Sequence, residues 1–219
     1  VMICIGYLGV EAFDIILYIG QTISKLKYPV LIVDLSDTGA LTKAIYHGMD
    51  LYSTEEIVHY RNLNYIRRLP QENELKDFNE GVVFVVFGFN YINTHPIKLD
   101  IINIVADPFP NHINKINVLI KDIPLDKQLR LIIRDIITLD DLERTKNSLI
   151  FSNKPVPVKY LYLDIADYEN AIQCQRIQIV RFKRISSRMK KLIVNEIAHT
   201  IPNIKPSKIR RAVSTARKG

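Results

Sequence analysis

The eight residues Gly6-Tyr7-Leu8-Gly9-Val10-Glu11-Ala12-Phe13 join an apolar run, VMICI, to a longer apolar segment, and they have the outline of a loop that grips phosphate. Such a loop, G-x-x-x-x-G-K-[ST] between a strand and a helix, offers backbone N–H groups and a helix N-terminus to the phosphates, a Lys to neutralise them and a hydroxyl to hold magnesium. Gly6 stands at the first glycine. Beyond it the chemistry is missing: Glu11 replaces the second Gly, Ala12 the Lys and Phe13 the hydroxyl. A carboxylate facing a polyphosphate is repulsive, and without the Lys nothing offsets it. Phosphoryl transfer depends on positioning and charge stabilisation by such groups, so the sequence predicts no catalytic residue, no bound cofactor and no ATP hydrolysis. Standing alone, the loop would read better as an unrelated strand–turn–helix with two chance glycines.

Other chemistry is thinly represented. Gly6 and Gly9 are spaced G-x-x-G, and Tyr7 and Leu8 fall where a dinucleotide's pyrophosphate needs bare backbone. His47, His59, His95, His112 and His199 are scattered with no metal-ligand spacing, and Cys4 and Cys174 are too far apart to suggest a metal site or a disulfide framework. Asp77 with Glu80, and Asp164 with Asp167, pair carboxylates, but no nucleophile accompanies them. Ser152, Ser186 and Ser187 lack a nucleophile-elbow context.

The charge is more informative. Of 30 basic and 23 acidic residues, 13 basic and one acidic lie from Arg176 onward, so the first 175 residues carry −5 and the remainder +12. Such asymmetry points to an anionic partner for the C-terminal part, whether nucleic acid, lipid headgroups or an acidic protein face; a solvated basic helix and tail is the plain alternative. Arg181, Lys183, Arg184, Arg188, Lys190 and Lys191 are the candidate contacts, and helical spacing puts Arg184, Arg188 and Lys191 on one face.

The elements that position these residues alternate. Val- and Ile-rich runs at 1–5, 29–34, 63–68, 81–88, 100–106, 128–134 and 156–163 read as strands. Helical patterns at 10–27, 39–46, 54–60, 111–121 and 139–146 lie between them. This order predicts a three-layer α/β/α domain with a mostly parallel sheet of about seven strands. VVFVVF is apolar without alternation, as in a central strand covered on both faces. RISSRMKKLIVNEIAHTI, 184–201, reads as an amphipathic helix ended by Pro202. The expected organisation is one domain, 1–204, and a basic tail, 205–219, too poor in large apolar residues to hold a core position. No segment of about 18 apolar residues appears, which with the two distant cysteines fits a reducing cytoplasm. Val1 before Met2 suggests either an excerpt of a longer chain or an expression scar.

Four stretches carry a resemblance along nearly the whole chain. GYLGVEAFDIILYIGQTISKL, without a gap, resembles the opening of the ParA/MinD family, G-K-G-G-V-G-K-T-T followed by an apolar helix. PVLIVDLSDTGAL resembles that family's second strand, LDIINIVADPFPNHINKINVLIKDI a later strand and helix, and residues 167–201 its closing segment. The resemblance implies a P-loop NTPase-like fold in which the family's signature lysine falls at Tyr7, its phosphate lysine at Ala12 and its metal hydroxyl at Phe13. Its switch carboxylate falls at Ser36, beside Asp37. Its strand-end metal carboxylate has no counterpart in 82–89, and its adenine-reading Asn-Arg becomes Arg134-Asp135. The chain therefore resembles the eroded, TadZ/CpaE-like members. This implies a cytoplasmic pseudo-ATPase scaffold serving a positioning, secretion or pilus machine, recruited to membrane or nucleoid. It also implies a constitutive, nucleotide-independent homodimer. The alternative is a partition or regulatory protein that meets DNA, or an anionic membrane, through its basic C-terminal part.

Overall fold

β-branched runs alternate with helical periodicity along this chain, and the computed structural model shows how they assemble. It describes residues 1–45, 56–91, 96–124, 126–151, 155–180, 182 and 184–217. The strands are β1 (Ile3–Gly9), β2 (Val30–Asp34), β3 (Val58–Tyr60), β4 (Leu63–Ile66), β5 (Val82–Gly88), β6 (Ile101–Ala106), β7 (Gln128–Ile136) and β8 (Val158–Tyr162). The helices are α1 (Phe13–Lys25), α2 (Ala40–Ile45), α3 (Glu72–Leu75), α4 (Pro110–Asp122), α5 (Leu139–Ser148), α6 (Ile165–Ile177), α7 (Ser187–Thr200) and α8 (Pro206–Ala216).

One eight-stranded sheet runs in the order β3-β4-β2-β5-β1-β6-β7-β8, parallel except for β3. β5 is central and fully buried, as an unalternating apolar strand requires. Val82, Phe84 and Val86 face the layer of α1, α7 and α8, whereas Val83, Val85 and Phe87 face that of α4 and α5. At about 1.5–3 kcal/mol for each fully buried large apolar side chain, this strand is a principal source of cohesion for both layers.

Three elements differ from the sequence expectation. The sheet has eight strands, because residues 58–60, expected as helix, form β3; residues 54 and 55 lie outside the described residues. Arg61 and Asn62, with φ of 46° and 65°, make the two-residue left-handed turn that a tight hairpin needs. Residues 165–177, to which no helix was assigned, form α6. The segment expected as a tail is α8, entered through Pro206, with Ile209, Ala212, Val213 and Ala216 buried against α1. Small side chains hold this position because they let the two helix backbones come close; a count of large residues misses that.

A polar row crosses the sheet beneath α7. Tyr7, Asn103 and Arg130 occupy adjacent register positions on β1, β6 and β7. Asn103 is fully buried, and neither of its amide atoms has a hydrogen-bond partner among the described residues. Glu196 of α7 reaches the row, pairing with Lys159 and lying 3.6 Å from Arg130 Nη1.

Candidate functional site at the C-terminal edge of the sheet

In parallel α/β sheets, ligand sites form where the strands end and the helices begin. Here β1 runs on to Gly9, so Gly6 and Tyr7 lie inside the strand, paired with Val85 and Val86 of β5, and do not open a loop. This corrects the register expected for Gly6. Gly9 turns the chain with φ +98°, and a Cβ there would lie 2.3 Å from the Val105 carbonyl oxygen, so only glycine fits. Val10 N–H donates to that same carbonyl at 2.9 Å. The connection is then three residues, Val10, Glu11 and Ala12, before α1 starts at Phe13.

The N-terminus of α1 is complemented from within the chain. Ala12 supplies no capping side chain, but Asp14, 2% exposed, sits in the first turn, where a carboxylate favours the helix dipole. Arg134 clamps it from β7: Nη1 and Nη2 donate to the two Asp14 oxygens at 2.9 and 3.0 Å. Nη1 also donates to the Glu11 carbonyl at 2.7 Å, and Nε to Asp135 at 3.0 Å. A register irregularity between Ile133 and Ile136, with Asp135 at φ +60°, re-aims Arg134 inward and carries β7 two residues beyond its expected end.

Around this clamp the groups are acidic. The Glu11 carboxyl accepts from the Thr38 hydroxyl. Burial pushes its pKa up; the Thr38 bond opposes this, and the nearby Asp34 and Asp14 reinforce it. Asp34, at the end of β2, accepts from Ser36 N (3.0 Å), Ser36 Oγ (2.6 Å) and Tyr65 OH (2.8 Å). Tyr65 in turn shares a hydrogen bond with Thr42. Asp107 closes β6, binding Phe109 N and His112 Nδ1. Asp164 caps α6, and Asp167 accepts from Ser186 N at 2.6 Å. Burial raises the Asp167 pKa too; the Ser186 bonds oppose it, and Asp164 and Asp14 add to it. α6 packs beside α2, with Gln175 donating to the Ala40 carbonyl, and is tied to α1 by a bond from Asn170 to Tyr18, whose ring stacks on Phe182 at 4.8 Å.

Of the residues singled out in the sequence, Glu11, Ala12 and Phe13 lie at this edge, with Gly9 at its base. Ser36 serves as a ligand of Asp34, while Asp37 is exposed. The basic residues lie elsewhere: Arg184, Arg188 and Lys191 are exposed, Lys190 is half-buried, and Arg188 stacks over the Tyr162 ring at 4.1 Å. Arg181 and Lys183 are outside the described residues, as are His47, His95 and Ser152. No group of three metal-ligating side chains occurs among the described residues. Sequence reading missed the Arg134–Asp14 pair; an Asp in the first turn of α1 was its one visible sign.

The whole-chain match is to proteins of one architecture. MinD in the MinC:MinD cell division complex of Aquifex aeolicus superposes with TM-score 0.53 at 12% identity, covering 99% of this chain and 96% of that one. The fold is that of the ParA/MinD-like P-loop proteins. A pNOB8 ParA bound to nonspecific DNA matches at TM-score 0.51 and 10% identity, covering 100% and 99%. Cobyrinic acid a,c-diamide synthase of Mycobacterium smegmatis, solved with an ATP analogue and magnesium, matches at 0.52 and 12%, covering 94% and 100%. No protein-family model matches the sequence, and no curated protein does.

Set in a ParA/MinD-like fold, this edge is a poor complement to a magnesium-bound triphosphate. Its connection has neither Lys nor hydroxyl, the helix dipole already faces Asp14, and the cation above it is spent on internal partners. Burial raises the pKa of two acids here, and neither supplies the positive charge that a polyanion site requires.

Proposed function

We propose that this chain is a non-catalytic relative of the ParA/MinD-like ATPases. In this reading it binds partner proteins as a localisation or assembly scaffold, without ATP binding or hydrolysis. The observation that carries the reading is the Arg134–Asp14 clamp over the N-terminus of α1, where a phosphate would otherwise take the helix dipole and the cation. A charge-assisted bidentate pair makes this substitution specific as well as stable. With the nucleotide site closed by the chain's own groups, association with partners, including a second copy, proceeds without a nucleotide. Calorimetric titration with magnesium-ATP, run beside a phosphate-release assay, tests it: the expected result is neither heat of binding nor turnover, and stoichiometric binding with turnover refutes it.

The exposed Arg184, Arg188 and Lys191 on α7 support a second reading, contact with DNA, and one structural neighbour is a ParA bound to nonspecific DNA. Retention on DNA should then fall steeply with salt and be lost when these three are neutralised.

A further inference from the structure

At the opposite edge of the sheet, where β2 begins, a cavity of about 670 Å³ lies between the α1–β2 connection and the start of α8. Tyr28 and Ile204, both half-buried against the core, form its apolar wall. Lys205, Lys208 and Arg211 line the rest, with Ser207 among them. All three cations are exposed, and none forms an ion pair among the described residues. Neither segment that builds the cavity supplies an acid, since 24–33 and 197–217 contain no Asp or Glu. Glu196, just before the second segment, is buried and held by Lys159.

These cations stand against local preference. Lys205 is the N-cap residue of α8, Lys208 and Arg211 follow at steps of three, and the first turn holds no acid, whereas α1, α5 and α6 each carry a carboxylate in that turn. Positions three apart are neighbours on a helix, so like charges there repel, and the helix dipole disfavours cations at this end. Departures of this kind from a local rule concentrate at functional sites. An anion seated among the three relieves the repulsion and accepts charge-assisted hydrogen bonds from two ammonium groups and a guanidinium.

We infer that this cavity binds a phosphate or pyrophosphate group, held by Lys205, Lys208 and Arg211 against the wall of Tyr28 and Ile204. Its volume lies within the range of about 300–1,000 Å³ that small-molecule sites occupy, and its concave shape suits a compact ligand better than a duplex backbone. It lies across the sheet from the start of α1, so it does not depend on whether that helix accepts a nucleotide. Two sources carry the same chemistry, a free phosphorylated small molecule and a phospholipid headgroup.

Isothermal titration of the full chain with inorganic pyrophosphate in magnesium-free buffer tests the site. Binding should saturate and weaken as salt rises. The double variant K208Q/R211Q should weaken it at least about tenfold, whereas R184Q/R188Q/K191Q, which neutralises exposed cations of α7, should leave it within about twofold. Pyrophosphate should also raise the urea midpoint of the parent and not that of K208Q/R211Q. Both substituted positions on α8 are exposed, and an unchanged far-UV circular dichroism spectrum verifies the fold. Phosphatidylcholine vesicles with and without phosphatidylinositol bisphosphate separate the two sources: co-sedimentation with the charged vesicles that K208Q/R211Q abolishes makes the headgroup the source, and pyrophosphate binding without it makes the ligand a free one. Absence of binding to either, binding indifferent to K208Q/R211Q, or an equal loss in the α7 variant overturns the inference. Duplex DNA that displaces pyrophosphate and binds more tightly through the same residues would make this a nucleic-acid face and overturn it too. Heat from magnesium-ATP that persists in K208Q/R211Q arises elsewhere and counts against the scaffold reading alone.

Discussion

Removal of Arg134 is the sharpest probe of the clamp. Asp14 is 2% exposed and the Arg134 side chain 14%, so Arg134→Met leaves a buried carboxylate facing Glu11 and Asp34 with its cation gone. Breaking a buried pair by removing one partner costs about 3–5 kcal/mol, because the remaining charge stays desolvated and unpaired. The Glu11 carbonyl loses a bond at 2.7 Å as well, so the expected loss is about 4 kcal/mol. For a chain of this length that lowers Tm by roughly 8–16 °C. In the double variant D14L/R134M no charge is left behind, and stability should return to within about 1 kcal/mol of the starting protein. A urea-unfolding cycle over the four proteins measures the coupling, expected at about 2 kcal/mol or more. A coupling below about 0.5 kcal/mol would show that the two side chains are only neighbours, and the account of how the helix N-terminus is closed would fall with it.

Three further outcomes follow from the same geometry. Gly9→Ala should cost at least about 2 kcal/mol in urea unfolding, because the new Cβ adopts a left-handed φ and meets the Val105 carbonyl at 2.3 Å. Ile209→Ala should cost about 2–5 kcal/mol by the same assay, which a disordered tail would not. Glu11 has a folded-state pKa above its ordinary 4.5, so folding takes up a proton in that window and wild-type stability declines as pH rises through it. Glu11→Gln should therefore be more stable than the parent at pH 7, with the advantage shrinking as pH falls towards 4.5, read from urea midpoints across pH.

The fold was readable where one physical constraint dominated. VVFVVF had to be central because both of its faces are apolar, and the run before Asp34 had to end at the ligand edge of the sheet. α6 was hidden because Ile165, Tyr168 and Ile172 face outward while Ala171 and Cys174 face inward, which flattens the periodicity that reveals a helix. α8 was hidden because Ala212 and Ala216 do the work of larger residues at a close helix crossing. At the site, the sequence shows directly that the connection after β1 holds neither Lys nor hydroxyl. The Arg134–Asp14 pair was not legible: the two residues are 120 positions apart, and Arg134 lies in the irregular stretch of β7.

The polar row of Tyr7, Asn103 and Arg130 has a consequence for assembly. A parallel sheet of Val and Ile is nearly translation-invariant, since any strand slid by two residues still shows apolar side chains to both layers. Arg130 lessens that degeneracy, because β7 displaced by a pair of residues would carry its guanidinium away from Glu196 and into hydrocarbon. The Arg130–Glu196 contact therefore acts as an alignment key for β7 against α7.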